Sequence, residues 1–420
     1  MYSWRDGYRS SELTDRHYDA LVIGAGPAGA TAALLLARAG WSVGVLEKSC
    51  FPRRKVCGEF LSATSAPLLQ ELGIADEFNA CAGPEVRAVG LFAGRTMLRA
   101  PMPLPRNPNQ YWSWGHALGR ERLDTLLLNR AKQMGAMVWQ PWKAIGLIRD
   151  SDGYSCVAKN GNTEKRCTFR TKIVIAAHGS WEPGTLITQQ GHHPARDSDL
   201  FGFKAHFQSG NLPAGLMPLL VFPGGYGGMV QTDGNRLSLS CCIRRDKLTQ
   251  IRKDNPNGKA AEAVLQHLKV SCLGVDNALE GALIEGGWLS AGPIRPGTRS
   301  PPAPGIFLVG NAAGEAHPII AEGISIALQS AWLLCQILIP AHALLKDRNL
   351  LDDVAARYRA VWRSNFSTRI ATSSFFASLA VRPLATSLIL PAFKMIPSLL
   401  TLGAYLAGKT DRISPAEFTH

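Results

Sequence analysis

Paired cysteines are missing from this sequence: nine are scattered over 420 residues, with no CxxC and no regular spacing. That argues against a disulfide framework and against a zinc site, and no metal is expected. A long basic run and an RNA-binding signature are also missing, so nucleic acid is not the expected partner. The formal net charge of +13 instead favours smaller anions such as nucleotide phosphates, or acidic lipid headgroups. The polar stretch MYSWRDGYRSSELTDRHYDA has no signal-peptide core, which with the unpaired cysteines gives the expectation of a cytoplasmic protein. No internal repeat is visible.

Uninterrupted apolar runs of the about 18 residues that a spanning helix needs are lacking too. The uncharged stretch 324–345 is punctuated by Gln329, Gln336, Pro340 and His342, and reads as a buried core helix. The C-terminal FFASLAVRPLATSLILPAFKMIPSLLTLGAYLAGK is broken by Arg382, Pro383, Pro391, Lys394 and Pro397. It fits either a helical lid over a pocket or a peripheral membrane contact, with helices in the interface and basic side chains toward headgroups.

What is present suits a folded protein of two or three packed domains: 46% hydrophobic and 18% charged residues over this length. Residues 18 to 48 read as strand, turn, helix, strand: DALVIGAG, then AGATAALLLARAG closed by Gly40, then WSVGVLEK. A basic loop follows, then strands and turns with a proline-rich excursion, APMPLPRNPNQ. RERLDTLLLNRAKQMGA is an amphipathic helix leading to one strand, MVWQPWKAIGLI, and TKIVIAAHGS is a further apolar strand. Residues 200 to 290 alternate as strands around one helix near 258–273, an inserted sheet that supplies a substrate wall.

The strongest motif is GAGPAG, Gly24 to Gly29, between a strand and a helix. Gly24 permits the sharp turn, Gly26 lets a pyrophosphate reach the backbone, and Gly29 allows close helix–strand packing. Glu47 ends the next strand, about twenty residues on, where a carboxylate can hold ribose hydroxyls. Ala28 and Lys48 adjoin these positions and join the candidate set. The loop FPRRKVCGEFLS, residues 51–62, is by itself a basic loop, and its place after the nucleotide-binding unit gives it weight. GNAAGEAHPIIAEG, residues 310–323, crowds small residues around His317 between a strand and an uncharged helix.

Taken in order, GAGPAG with its terminal glutamate, FPRRKVCGE, RERLD and GNAAGEAHPIIAEGI resemble the p-hydroxybenzoate hydroxylase-like superfamily of FAD enzymes, and the loop most resembles its geranylgeranyl reductase branch. The resemblance covers about residues 18 to 335. It implies an α/β protein with a Rossmann-like FAD-binding domain, an inserted mixed β-sheet substrate domain and a helical C-terminal region. The corresponding divisions are a tail at 1–17, the FAD domain at 18–83, 117–198 and 290–345, the substrate domain at 84–116 and 199–289, and helices at 346–420.

By the same resemblance Gly24, Gly26 and Gly29 meet the FAD pyrophosphate, Glu47 the adenosine ribose, and Arg53, Lys55 and Cys57 the cofactor or substrate. Arg120 matches an arginine that reaches the phosphate–ribityl region; the alternative is an ordinary i,i+4 pair with Asp124. Gly310 and Asn311 lie where the family reads GDAA, and amides around Gly323 and Ile324 stabilise a reduced flavin through the helix dipole. Asn311 departs from the usual aspartate. His178, with Trp181 and Glu182 after it, departs from the ADG fingerprint associated with NAD(P)H.

His317, Cys57 and Tyr226 are the candidate catalytic residues. His317 either orients substrate and passes a proton or merely bonds nearby backbone. Lys204 and His206 share a strand face by period two, with Lys204 expected toward solvent. Three chemistries fit the resemblance. The favoured one is NAD(P)H-driven hydroxylation of an apolar aromatic or polyketide-like molecule through a C4a-hydroperoxyflavin. The alternatives are hydride transfer to a C=C bond of an isoprenoid lipid and a non-catalytic, membrane-associated flavin electron carrier. The WxWxIP stretch of flavin halogenases is absent. The tryptophan and Phe-Pro-Lys of the reductases are missing from GGYGGMVQTD.

Overall fold

The computed structural model describes residues 15–104, 113–179, 184–189, 194–253, 258–344 and 348–409. The tail 1–14, most of the proline-rich excursion, Trp181 and Glu182 lie outside the described residues.

Two sheets carry the molecule. In the first, Met137–Trp139, Val43–Leu46, Asp15–Ile23 and Arg166–Ala176 run parallel in that order, and Ile306–Leu308 joins Arg166–Ala176. Val43–Leu46, Ile306–Leu308 and the ends Ala20–Ile23 and Ile173–Ala176 of the two longer strands are buried apolar runs, as expected where both faces are covered. The helix Pro27–Arg38 is buried along its length up to Ala37 and packs against helices Gly323–Leu338 and Arg120–Gln133. Its many alanines let these helices approach closely. An antiparallel meander, Trp142–Arg149 and Tyr154–Asn160, continues from the other side of Arg166–Ala176.

The expected single strand MVWQPWKAIGLI is two. It breaks at Gln140 and Pro141, and its halves sit at opposite ends of the strand order. Proline offers no amide to a ladder, so the pairing stops there.

The second sheet is mixed, in the order Leu283–Ile294, Leu200–Gln208, Leu237–Arg244, Gly225–Gln231, Leu216–Phe222, Ala88–Ala93, Thr96–Pro101. Its first strand stays paired through Ile294, opposite Leu200, so the sheet extends past residue 290. Alternation sets its two faces. Phe92, Leu220, Met229, Cys241 and Ile243 pack with residues of Arg245–Lys253, Ala260–Ser271 and Leu273–Ala278, three helices where one was expected. Leu91, Ala93, Val221, Tyr226 and Cys242 form the opposite face, with Ala377, Ala380 and Leu400 from the C-terminal helices.

The predicted core helix is Gly323–Leu338, ending just before Pro340. A 33-residue helix, Arg348–Ala380, then runs about 50 Å. Its Trp362, Phe366 and Ile370 join the first core, and Ala377 and Ala380 reach the second sheet. Helices Pro383–Met395 and Ser398–Ala404 close the chain's described part. Among the described residues no single helix is long and apolar enough to cross a membrane.

Candidate active site

A cavity of about 610 Å³ lies between the two sheets and the C-terminal helices. Every residue named from the sequence as catalytic or cofactor-binding, except Gly29, lines it. Gly29 is required by packing instead: a Cβ there would sit 1.9 Å from the Gly24 carbonyl oxygen. Gly24 has φ +103°, and a Cβ would come within 2.6 Å of the Ala177 carbonyl oxygen. Gly26 is different. Its φ of −68° suits any residue, and an added Cβ meets nothing nearer than Arg120 Nη2 at 3.8 Å. Nor does one at Gly323 meet anything within 4 Å. Two glycines that neither packing nor conformation demands thus face one cavity, each in the first turn of a helix or just before it. The first-turn amides of such helices have no intrahelical partner. Bare main chain with a positive dipole fits an extended anionic cofactor lying against it. The two junctions touch, since Ala28 Cβ would be 3.0 Å from a Cβ at Gly310.

Charges gather at this end. Glu47 is buried; its Oε2 accepts the Ala25 N–H at 2.9 Å and its Oε1 the Ser49 N–H at 3.0 Å. Arg53 Nη2 stands 3.4 Å from Glu47, and its Nη1 donates to Asp124 at 3.2 Å. Arg120 donates twice to the same Asp124, at 2.7 and 2.8 Å, while lining the cavity. The i,i+4 pair and a cofactor-facing position are therefore compatible. Burial opposes the Arg120 charge, but Asp124, then Cys57, hold its pKa above the ordinary arginine value. Lys55 is pushed down to about 8 by burial, then by Arg53 and Lys48.

At the second junction the Gly310 N–H donates to Ser330 Oγ at 2.8 Å. Asn311 donates to Glu315 Oε1 at 3.2 Å, and Arg299 donates to the Asn311 carbonyl at 2.8 Å. Glu315 is buried and lines the cavity, so a carboxylate is present despite Asn311. Sequence reasoning missed both Glu315 and Arg299; the one available signal was the four-residue spacing from Asn311. His178 lines the cavity too, its ring bonded to the Gly179 carbonyl and Thr188 Oγ1.

At the other end the buried Tyr226 hydroxyl lies 3.1 Å from His317 Nδ1, and the His317 N–H donates to Ser373 Oγ at 2.9 Å. Burial lowers His317 to about 4, so the imidazole is neutral near pH 7, and burial raises Tyr226 well above its ordinary value. Ser373, on the long C-terminal helix, had no sequence signal. Around this pair the walls are apolar: Leu91 and Val221 of the sheet, and Leu390, Phe393 and Leu400 of the last helices. Cys57 Sγ accepts the Glu59 N–H at 3.4 Å.

Lys204 does not face solvent. It is fully buried and paired with Glu59, whose other oxygen is 2.7 Å from His206 Nε2. Glu59 also accepts the Arg120 N–H at 3.1 Å. Burial works against the Glu59 charge, yet Lys204 and His206 hold its pKa well below the usual carboxylate range. This cluster ties the basic loop to the second sheet and to the start of the Arg120 helix.

The family described as FAD binding domain matches residues 17–264. Conditioned medium factor receptor 1 of Dictyostelium discoideum is 27% identical over 85% of this chain and 69% of its own. The digeranylgeranylglycerophospholipid reductase of Methanocaldococcus jannaschii is 25% identical over 84% and 83%. Among solved structures, the myxobacterial chondrochloren halogenase CndH superposes with TM-score 0.71 at 19% identity over 93% and 91% of the two chains. PqsL of Pseudomonas aeruginosa, described as "a probable FAD-dependent monooxygenase", gives 0.64 at 18% over 93% and 100%.

Proposed function

Since the chain belongs to the FAD-binding-domain family, we propose that it is an FAD-dependent monooxygenase that hydroxylates an apolar aromatic or polyketide-like small molecule, with NAD(P)H as reductant. The overall change is substrate–H + O₂ + NAD(P)H + H⁺ → substrate–OH + NAD(P)⁺ + H₂O. Bound flavin supplies the electron transfer and oxygen chemistry. This chain's residues do the rest. The bare backbone at Gly26 and the first-turn amides of Ala28 and Gly29 would hold the pyrophosphate, with Glu47 placed for the adenosine ribose and Arg53, Lys55 and Arg120 supplying positive charge. Gly323 and Ile324, which line the cavity at the second helix start, would offer their amides to the flavin ring. The apolar walls exclude water.

The observation that carries this reading is one neutral imidazole at the apolar end of the cavity, its ring bonded to Tyr226 and its backbone N–H to Ser373. A neutral His317 orients an oxygen-bearing substrate by a hydrogen bond without binding a strong anion. Flavin-loaded protein given NADPH, heavy-isotope oxygen and a panel of apolar phenols is expected to give product carrying one heavy oxygen atom.

A second reading has its own support. The apolar lining includes Leu379, Ile389 and Leu390 of the C-terminal helices, which suits an apolar chain-like substrate, and the Methanocaldococcus jannaschii relative is named for a geranylgeranyl lipid. In that case hydride and proton add across a C=C bond. Product formed from isoprenoid probes without oxygen, and no labelled phenol product, would replace the first reading with this one.

A further inference from the structure

We propose that the C-terminal helices dock this protein on the surface of an anionic lipid bilayer, whichever reaction the cavity performs. Helices Pro383–Met395 and Ser398–Ala404 are apolar on two sides. Their inner sides put Leu390, Phe393 and Leu400 against the second sheet. Their outer sides leave Leu388 80%, Met395 82% and Ile396 52% exposed, and Leu402 and Leu406 half exposed. A surface helix of a globular protein turns polar residues outward, and a contiguous apolar surface seeks a partner.

Shape and charge choose the partner. The segments Leu388–Met395 and Ser398–Ala407 meet at 109°, which puts Met395 and Ile396 at a blunt corner. Neither arm is long enough to span a bilayer alone, and an exposed apolar corner suits the headgroup and upper acyl region. The exposed cations Arg382 and Lys394 flank this apolar surface in sequence, and the stretch 354–409 carries no Asp or Glu. Exposed Arg99 and Met97 lie on the strand Thr96–Pro101, against which Ser398–Ala404 packs. Thr401 Oγ1 donates to the Pro101 carbonyl of that strand at 2.7 Å. Exposed apolar side chains next to Lys394 and Arg99 match anionic phospholipid. A second copy of the chain would instead bring two positive surfaces together. The same helices wall the cavity, so docking sets its apolar end toward the acyl chains.

The test is co-sedimentation of the full-length, flavin-loaded protein with vesicles of equal parts phosphatidylcholine and phosphatidylglycerol. Pelleting is expected with these, and at least about tenfold less with phosphatidylcholine alone. Lys394→Gln should weaken partitioning about fivefold, one surface cation's worth. The triple variant Leu388→Gln, Met395→Gln, Ile396→Gln should weaken it by more than about tenfold. These three side chains are exposed, so flavin content and thermal unfolding should match the parent. Wild-type protein that stays in the supernatant, or a triple variant that pellets equally, overturns the proposal. So does a wild-type dimer in sedimentation velocity that the triple variant abolishes, because the patch then belongs to a second copy.

Discussion

At its nucleotide end the cavity is bounded by main chain and by charges close in sequence to the glycine turn: Gly24, Gly26, Glu47 and Arg53 span thirty residues. At its other end it is bounded by side chains from remote segments, Leu91, Val221 and Tyr226, His317, then Leu390, Phe393 and Leu400. The first end depends on backbone geometry that only particular residues permit. The second depends on apolar volume, which many sequences supply. A side chain added at the glycine turn should therefore act sharply, whereas changes to charged or apolar side chains at either end act by degrees.

The glycines test the first half of that contrast. Gly29→Val should give no folded protein, because its Cβ overlaps the Gly24 carbonyl at 1.9 Å. Glu59→Gln should come next. It leaves the fully buried Lys204 ammonium without its counter-charge, a cost of about 3–5 kcal/mol. Urea unfolding measures this, and a loss below about 1 kcal/mol would mean that no ion pair exists there. The Glu59 contribution is present above its unfolded value of 4.5 and should be lost as pH falls toward its depressed folded value. Gly26→Val, only three residues from Gly29, should fold normally by circular dichroism. Its flavin affinity should fall on the order of a hundredfold. Full flavin content would show that the open space over Gly26 is not the pyrophosphate site.

At the apolar end the effect is smaller and depends on pH. His317 is held near 4 by burial, against 6.5 for an ordinary imidazole. Its folded pKa is depressed, so between those values the unfolded chain binds the extra proton. The stability that depends on neutral His317 is complete above pH 6.5 and is lost as pH falls toward 4. His317→Gln removes the titration. Its thermal midpoint should fall several degrees less than wild type between pH 7 and pH 5, and parallel curves would place the ring in water.

The same contrast explains what could be read in advance. The turn at Gly24 and the packing at Gly29 have one chemical solution, so spacing revealed them, as it revealed Glu47. Period two put Lys204 and His206 on one face but could not say which face was covered. The cover is Glu59, 145 residues earlier, and the Lys204 side chain is buried rather than exposed. Glu315 and Arg299 were missed because each is explained by the other and by Asn311, a relation that exists only after folding. The strand break at Pro141 was legible in principle, since a proline inside a strand pattern demotes it. Ser373 was not legible: a serine in a long helix looks the same whether it faces water or the His317 amide.

Lys55 tests the nucleotide end most gently. Burial, then Arg53 and Lys48, bring its amine to about 8, so it is mostly charged at pH 7 and mostly neutral at pH 9.5. A pyrophosphate beside it would raise that value again, and binding would then take up a proton whenever the free amine is neutral. Affinity must fall as pH rises through 8, because the proton has to come from increasingly dilute supply. Flavin affinity of the wild type should therefore drop about fivefold or more between pH 7 and 9.5. Lys55→Met should bind more weakly at pH 7 but with a nearly flat profile, so the two curves converge at high pH. Parallel profiles would mean that the Lys55 charge never meets the phosphates, and that Arg53 and Arg120, which stay charged throughout this range, supply the electrostatics of that end alone.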